Sequence, residues 1–242
     1  MAPDERIYAV GDIHGRVRLL ERMLERIEAD IAAQQDDRRS RIVFLGDYID
    51  RGDQAREVLD TLVRLRAEFK AAELVFLRGN HEDALLSFLA DPSKGSNWLH
   101  FGGLQTLVSY GLTPPKSAVV QLDELERLRE GLEKVIGPHW EFLEATERLL
   151  RSGDVVFVHA GLDPACPLEA QSDDALLWGR SDFLIEGGVS GLRVVHGHYA
   201  DAEAVVTPRR VCIDTGAYYS GRLTAARLDS DFDLFTITAF GS

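Results

Sequence analysis

Five short apolar runs, each closing on a cluster of Gly with Asp, His or Asn, constrain this chain more than any other feature. Arg6–Val10 leads into Gly11-Asp12-Ile13-His14-Gly15, and Arg41–Leu45 into Gly46-Asp47-Tyr48-Ile49-Asp50-Arg51-Gly52. Leu74–Leu77 leads into Arg78-Gly79-Asn80-His81-Glu82, Val155–Val158 into His159-Ala160-Gly161, and Arg193–Val195 into His196-Gly197-His198. Short apolar runs bounded by Gly predict buried strands whose carboxyl ends open into loops. Leu20, Met23, Leu24, Ile27 and Ile31 recur at helical spacing in the first connection, and Val58, Leu59, Leu62, Leu65 and Phe69 in the second. Strand–helix–strand alternation predicts β-α-β units and an α/β fold. Ligands of such folds sit beyond the carboxyl ends of the strands, where every polar cluster falls.

The stretch from about Asp83 to Arg151 breaks this rhythm. It holds a Gly/Ser/Trp segment over 94–103, a Pro114-Pro115 break, and helical periodicity through Leu122, Leu125, Leu128 and Leu132. It reads as a mostly helical insertion (83–151) in a single domain spanning residues 1–242. Beyond Cys212, alternation in Leu223–Leu228 and Leu234–Thr238 predicts closing antiparallel strands.

The polar clusters have a chemistry. Asp12 and His14 stand two apart at one strand end, so in extended chain both point the same way. Asp47 can bridge two ions with its two oxygens, Asn80 adds a neutral oxygen, and His159 and His198 add imidazoles. Carboxylate with imidazole suits Mn, Fe, Zn or Co, and with no thiolate in the set a cysteine-type zinc site is excluded. Two such ions acidify a water and polarise phosphoryl oxygens for in-line attack. Arg51, Arg78 and Arg180 are candidates to hold the phosphate, because a guanidinium fork matches its oxygens. His81 is the candidate general acid, with Asp50 orienting its ring. Taken singly, each Asp reads as a turn former, each His as an ordinary loop residue and each Arg as a surface side chain. Their joint arrival at successive strand ends favours the metal site. His196 and His198 compete for one ligand position, and His198 is preferred. His100 and His139 read as plain polar residues, and Trp98, Trp140 and Trp178 as packing.

The 27 basic and 40 acidic side chains give a formal charge of −13, which excludes general attraction to nucleic acid or anionic membrane. An anionic substrate therefore needs a local positive site, which bound cations provide. Two cysteines, Cys166 and Cys212, are too few for a disulfide framework and are expected to be buried and reduced. No apolar run approaches membrane-spanning length, and a cytoplasmic location is expected.

In order, GDIHG, GDYIDRG, LRGNHE, VHAG and HGH resemble the signature of the calcineurin-like metallophosphoesterases. The fuller form resembles their PPP branch, the serine/threonine protein phosphatases. LLWGRSDF and IDTGAYYSGRLT are most similar to the bacterial and phage members. The resemblance runs from Ile7 to Leu228 and implies a central β-sandwich flanked by helices. It implies one metal on Asp12, His14 and Asp47, and a second on Asp47, Asn80, His159 and His198, with Mn the usual ion. It further implies His81 with Asp50 as the proton-donating pair, and Arg51, Arg78 and Arg180 around the phosphate. His-Ala-Gly stands where eukaryotic members have His-Gly-Gly, and Tyr199 follows the last histidine where bacterial relatives often have Thr. Tyr219 is a weaker match to an active-site tyrosine of eukaryotic members.

Hydrolysis of phosphoserine and phosphothreonine in proteins is the leading expectation, with a phosphorylated protein or small phosphoester as partner. Symmetrical bis(5'-nucleosyl)-tetraphosphatases share these blocks but typically carry Gln where this chain has His14, which places them second. A non-catalytic binding module on the same fold comes last, because every expected ligand is present.

Overall fold

The computed structural model describes residues 2, 4–117, 119–229 and 232–239. Its strands are β1 (Glu5–Val10), β2 (Arg39–Phe44), β3 (Glu73–Phe76), β4 (Leu149–Ser152) and β5 (Val155–Val158) in the first part of the chain. β6 (Arg193–His196), β7 (Val205–Val206), β8 (Arg210–Cys212), β9 (Arg222–Leu228) and β10 (Phe232–Thr238) follow. One sheet has the order β10-β9-β1-β2-β3, parallel through β1, β2 and β3. The other has the order β4-β5-β6-β8-β7, parallel through β5, β6 and β8. β9 and β10 pair antiparallel, as their alternation predicts.

Residue parity explains the layers. Ile7 and Ala9 of β1 belong to a different apolar cluster from Tyr8 and Val10, as the two-residue period of extended chain demands. Ile7, Ala9, Val43 and Val75 from the first sheet meet Val155, Phe157, Val195 and Val211 from the second, which forms the sandwich core. Their opposite-parity neighbours Tyr8, Ile42, Phe44 and Phe76 pack under helices α1 (Val17–Ala33), α2 (Ala55–Glu68) and α3 (Asn80–Ala90). On the far side, Val156, Val158 and Val194 are covered by Leu176, Leu177 and Phe183. The result is an α/β architecture of two mixed sheets flanked by helices. Each fully buried Val or Phe in these layers contributes roughly 1.5–3 kcal/mol.

Residues 83–151 carry most of α3, then helical segments at Gly95–Trp98, Leu104–Ser109, Leu122–Val135 and Pro138–Glu144, and end in β4. Cys212 is buried and Cys166 only partly so, which corrects the expectation that both are buried; both are free thiols. Among the described residues, no helix is long and apolar enough to cross a membrane.

Candidate active site

Parallel strands bring their carboxyl ends to one edge of each sheet. β1 delivers Asp12 and His14, β2 delivers Asp47, Asp50 and Arg51, and β3 runs into Asn80 and His81 at the start of α3. β5 and β6 deliver His159 and His198 from the second sheet. The loops cross-link tightly: the amides of Ile13 and His14 donate to Asp47 O at 3.0 and 2.9 Å, and Gly197 N donates to His159 O at 2.8 Å. Gly46 has φ 101°, and a Cβ there would lie 2.5 Å from Gly79 N, so only glycine lets these two loops approach. Gly197 is equally constrained, since a Cβ would lie 1.9 Å from Asp12 Oδ1.

Among the described residues, five non-glycine residues have positive φ: His14 (45°), Asp47 (51°), Asp50 (67°), Arg51 (64°) and His198 (64°). All five are residues the sequence singled out for chemistry. Each such conformation costs roughly 1–3 kcal/mol and persists only where neighbours over-determine it. Here they do: Asp50 N donates to Thr106 Oγ1 at 3.0 Å, Arg51 N to Gly102 O at 3.2 Å, and His198 N to Asp12 Oδ2 at 3.0 Å.

Two groups of donor atoms share Asp47, namely His14, Asp47 and His81, and Asp47, His159 and His198. Asp47 Oδ2 lies 3.4 Å from His14 Nε2, while Oδ1 lies 3.5 Å from His159 Nε2, so its two oxygens face different imidazoles. His14 Nδ1 contacts Ile49 O at 2.8 Å and His159 Nδ1 contacts Leu45 O at 2.9 Å. A proton on Nδ1 in each leaves Nε2 as a lone-pair donor, the tautomer a metal ligand requires. Asn80 Oδ1 lies 2.9 Å from His159 Nε2 and 3.0 Å from His198 Nδ1.

The charge state fits divalent cations. Asp12 Oδ1 is buried without a partner. Burial, Asp214 and Asp47 together hold the Asp12 carboxyl well above the usual carboxylate range. Burial likewise raises Asp214. Burial would push Asp47 up too, but His159, His81, His14 and His198 outweigh it and hold the carboxyl low. Burial pushes His14 and His198 down to about 3, so both are neutral imidazoles near neutral pH, as ligands must be. A buried set of carboxylates with neutral imidazoles and an orphaned oxygen is compensated by bound cations.

A second device stands beside this one. His81 Nδ1 lies 2.7 Å from Asp50 Oδ2, and both side chains are fully buried. Trp98 Nε1 donates to the same oxygen at 3.0 Å and Thr106 Oγ1 to Asp50 Oδ1 at 2.5 Å, so the carboxylate is held from three sides. His81 Nε2 has no partner. Burial lowers the His81 pKa, but Asp47 and the Asp50 hydrogen bond outweigh it, and the net direction is up.

The arginines divide. Arg51 Nη1 contacts His14 Nε2 at 3.1 Å, and its guanidinium lies over the Tyr218 ring at 5.2 Å. Arg180 is 43% exposed in its side chain and pairs loosely with Asp163 at 3.9 Å and Asp182 at 3.6 Å. Arg78, the third expected phosphate holder, has two of its three nitrogens engaged elsewhere. Its Nε donates to Thr146 Oγ1 at 2.9 Å and its Nη2 to the Leu143 and Glu144 carbonyls at 3.1 and 2.9 Å. Those carbonyls end the 138–144 helix, whose final groups lack partners within the helix. His196 faces Phe183 and Tyr199 and belongs to neither donor group, whereas His198 does. His139 is buried between Tyr110 and Asp60, away from the site.

Four contributors escaped sequence reasoning. Trp98 and Thr106 grip Asp50, Asp214 shares the burial of Asp12, and Tyr218 stacks edge-on against His14 at 5.4 Å. Glu82 is a further case, visible only as a letter of its cluster. Its buried carboxylate accepts from Asp47 N (2.8 Å), Tyr48 N (2.8 Å) and Gly79 N (2.9 Å), which pins two ligand loops together. Burial and Asp47 push its carboxyl up to about 7 against these amides. Ile49 N reaches the same carboxylate at 3.3 Å, so Glu82→Ala strands four buried donors and is expected to cost roughly 3–5 kcal/mol, measured by chemical denaturation. A loss below about 1 kcal/mol would show that the amides find other acceptors.

The calcineurin-like phosphoesterase family matches residues 5–202. Curated relatives include the asymmetrical bis(5'-nucleosyl)-tetraphosphatase of Anoxybacillus flavithermus, 27% identical over 90% of this chain and 88% of that protein. The symmetrical enzyme of Methylococcus capsulatus is 26% identical over 96% and 94%. Serine/threonine-protein phosphatase 1 of Salmonella typhimurium is 30% identical over 92% and 91%. A solved structure of a candidate diadenosine tetraphosphatase superposes with TM-score 0.64 at 19% identity, covering 99% of this chain and 96% of that one, a likeness of fold. With that family match running through β1 to β6 and past His198, the last of the donors, the chain belongs to the calcineurin-like phosphoesterases and is a hydrolase of phosphoesters.

Proposed function

We propose that this chain is a metal-dependent phosphomonoesterase acting on phosphoserine and phosphothreonine in proteins. The observation that carries the reading is a carboxylate, Asp47, with imidazoles facing both of its oxygens, and a buried His81–Asp50 pair whose Nε2 has no hydrogen-bond partner. Asp12, His14 and Asp47 would hold one divalent ion, and Asp47, Asn80, His159 and His198 the other. Mn is the proposed ion, and Fe, Zn or Co suits the same donors. When bound, such a pair acidifies water and polarises phosphoryl oxygens.

The chain's own residues supply the rest. Arg51, anchored at its amide by Gly102 and backed by Tyr218, presents a guanidinium to the phosphate oxygens. Arg180, loosely paired and partly exposed, is free to join it when phosphate enters. His81 holds a proton at Nε2 for the leaving oxygen, and Asp50 fixes the ring so that this nitrogen is left on the side of the donor cluster, 3.9 Å from Asp47 Oδ2. Arg78 has Nε and Nη2 engaged at the end of a helix, which leaves Nη1 as its donor toward a phosphate.

The second reading is a dinucleoside tetraphosphatase, favoured by the tetraphosphatase relatives over nearly the whole chain. One experiment separates the two. The purified protein is assayed with Mn, Mg, Zn, Co or a chelator on phosphoserine, phosphothreonine and phosphotyrosine peptides, an aryl phosphate and diadenosine tetraphosphate. Metal-dependent release of phosphate from the serine and threonine peptides is expected, and inert peptides would overturn the reading. A preference for the dinucleotide above about tenfold in kcat/KM, some 1.4 kcal/mol in the transition state, would install the second reading instead. Its products, two diphosphates or a mono- and a triphosphate, would then distinguish symmetrical from asymmetrical cleavage.

A further inference from the structure

A cavity of about 470 Å³ opens beside the donor cluster, lined by Arg16, Arg18, Arg22, Gln54, Tyr218 and Tyr219 among others. It begins where the site ends. Tyr218, in its wall, packs edge-on against His14 and lies beneath Arg51, and Arg16 follows His14 by two residues. Three arginines and no carboxylate line it, on a chain whose net charge is −13. Arg18 and Arg22 stand one turn apart on α1 and so share a face. Their local partners are weak competitors for an anion. Asp53, which meets Arg16 at 3.0 Å, is 75% exposed, and Arg18, which meets Glu21 at 3.3 Å, is 85% exposed. Arg22 donates to the Thr238 carbonyl, and among the described residues no ion pair to a carboxylate involves it. Exposed pairs of this kind are worth roughly 0–1 kcal/mol, so a bound anion displaces them at little cost.

We propose that this groove binds acidic side chains flanking the phosphorylated residue, and that the enzyme selects acidic phosphopeptides. The inference rests on the protein-phosphatase reading of the adjacent site. Arg16 to Arg22 spans about 9 Å of helix. That length matches about three residues of extended peptide, so the favoured acids stand within about three positions of the phosphoresidue. Of the two tyrosines in the wall, Tyr219 is exposed, and Tyr218 is not open for stacking. The Tyr218 ring is already covered by Arg51 and by Tyr219, whose centroid is 4.9 Å away.

The test compares kcat/KM of the metal-loaded protein on phosphoserine peptides with Asp or Glu, or with Gln, at the flanking positions. The expected preference for the acidic peptides is about tenfold, resides in KM, and shrinks as salt rises from 50 to 500 mM. Arg18→Glu and Arg22→Gln are expected to remove that preference, and their folding is checked by thermal melts. Arg18, at 85% exposure, is the safer of the two. Peptides cleaved with no acidic preference, or a preference that survives both substitutions, would overturn the groove while leaving the phosphatase reading intact. Peptides left uncleaved, with diadenosine tetraphosphate turnover depending on the same arginines, would overturn both.

Discussion

Asp47→Asn is expected to lower kcat/KM by on the order of a thousandfold or more, about 4 kcal/mol, with metal content falling in parallel. Among the described residues no other side chain belongs to both donor groups, and its two oxygens face different imidazoles. Asparagine keeps the shape and one oxygen, and it tolerates the left-handed backbone that Asp47 adopts at φ 51°. The substitution therefore removes charge and bridging capacity without disturbing the loop. It also relieves like-charge crowding, because Asp47 is among the groups that raise both Asp12 and Asp214. The same carboxylate is held low by the surrounding histidines and so stabilises the fold near neutral pH. The metal-free melts of parent and variant therefore serve as each protein's own baseline. Added Mn is expected to stabilise the parent, by ligand linkage, far more than the variant. Atomic absorption after dialysis, thermal melts with and without Mn, and phosphopeptide turnover together form the check. Full metal occupancy in the variant would remove Asp47 from the proposed bridge.

What made the site legible was adjacency. Asp12, His14, Asp47, Asn80, His159 and His198 each stand within a few residues of a strand end, so a strand prediction places them without knowledge of tertiary contacts. The two sheets were not legible from periodicity, because parity tells which residues share a face but not what covers it. Val43 and Phe44 look alike in sequence, yet one meets the second sheet and the other the helices. The resemblance implied the sandwich, and the β-ladders show it. Long-range supports were hidden for the same reason. Trp98 and Thr106 reach Asp50 across 48 and 56 residues, from a helical segment whose pattern reports only its own buried face. Trp98 read as packing, and it is fully buried, but its indole N–H carries the more specific duty. Arg78 makes contacts that adjacency does not predict. A guanidinium beside Gly79-Asn80-His81 invites a phosphate, but the Leu77–Glu147 bridge brings a helix end within its reach first.

The His81–Asp50 pair yields the second large effect, and it is selective. His81→Asn is expected to slow phosphoserine peptides by about 100- to 1000-fold in kcat, within the range general-acid catalysis supplies. An aryl phosphate, whose leaving oxygen needs little proton assistance, is expected to lose less than about tenfold. The contrast follows from position: His81 Nε2 is the unpartnered end of a chain running from Thr106 and Trp98 through Asp50 to the ring. Nδ1 is engaged by Asp50, so Nε2 is the nitrogen available to a leaving group. Trp98→Phe leaves the ring in place but removes one donor to Asp50, and a milder loss with the same bias toward serine peptides is expected. Because His81 also lies 3.9 Å from Asp47 Oδ2 and joins one donor group, metal content decides between roles. A variant that retains both metals while losing serine-peptide turnover selectively assigns His81 to the leaving group. Equal losses on both substrates, accompanied by missing metal, would make His81 a ligand and transfer the proton-donating task to another group.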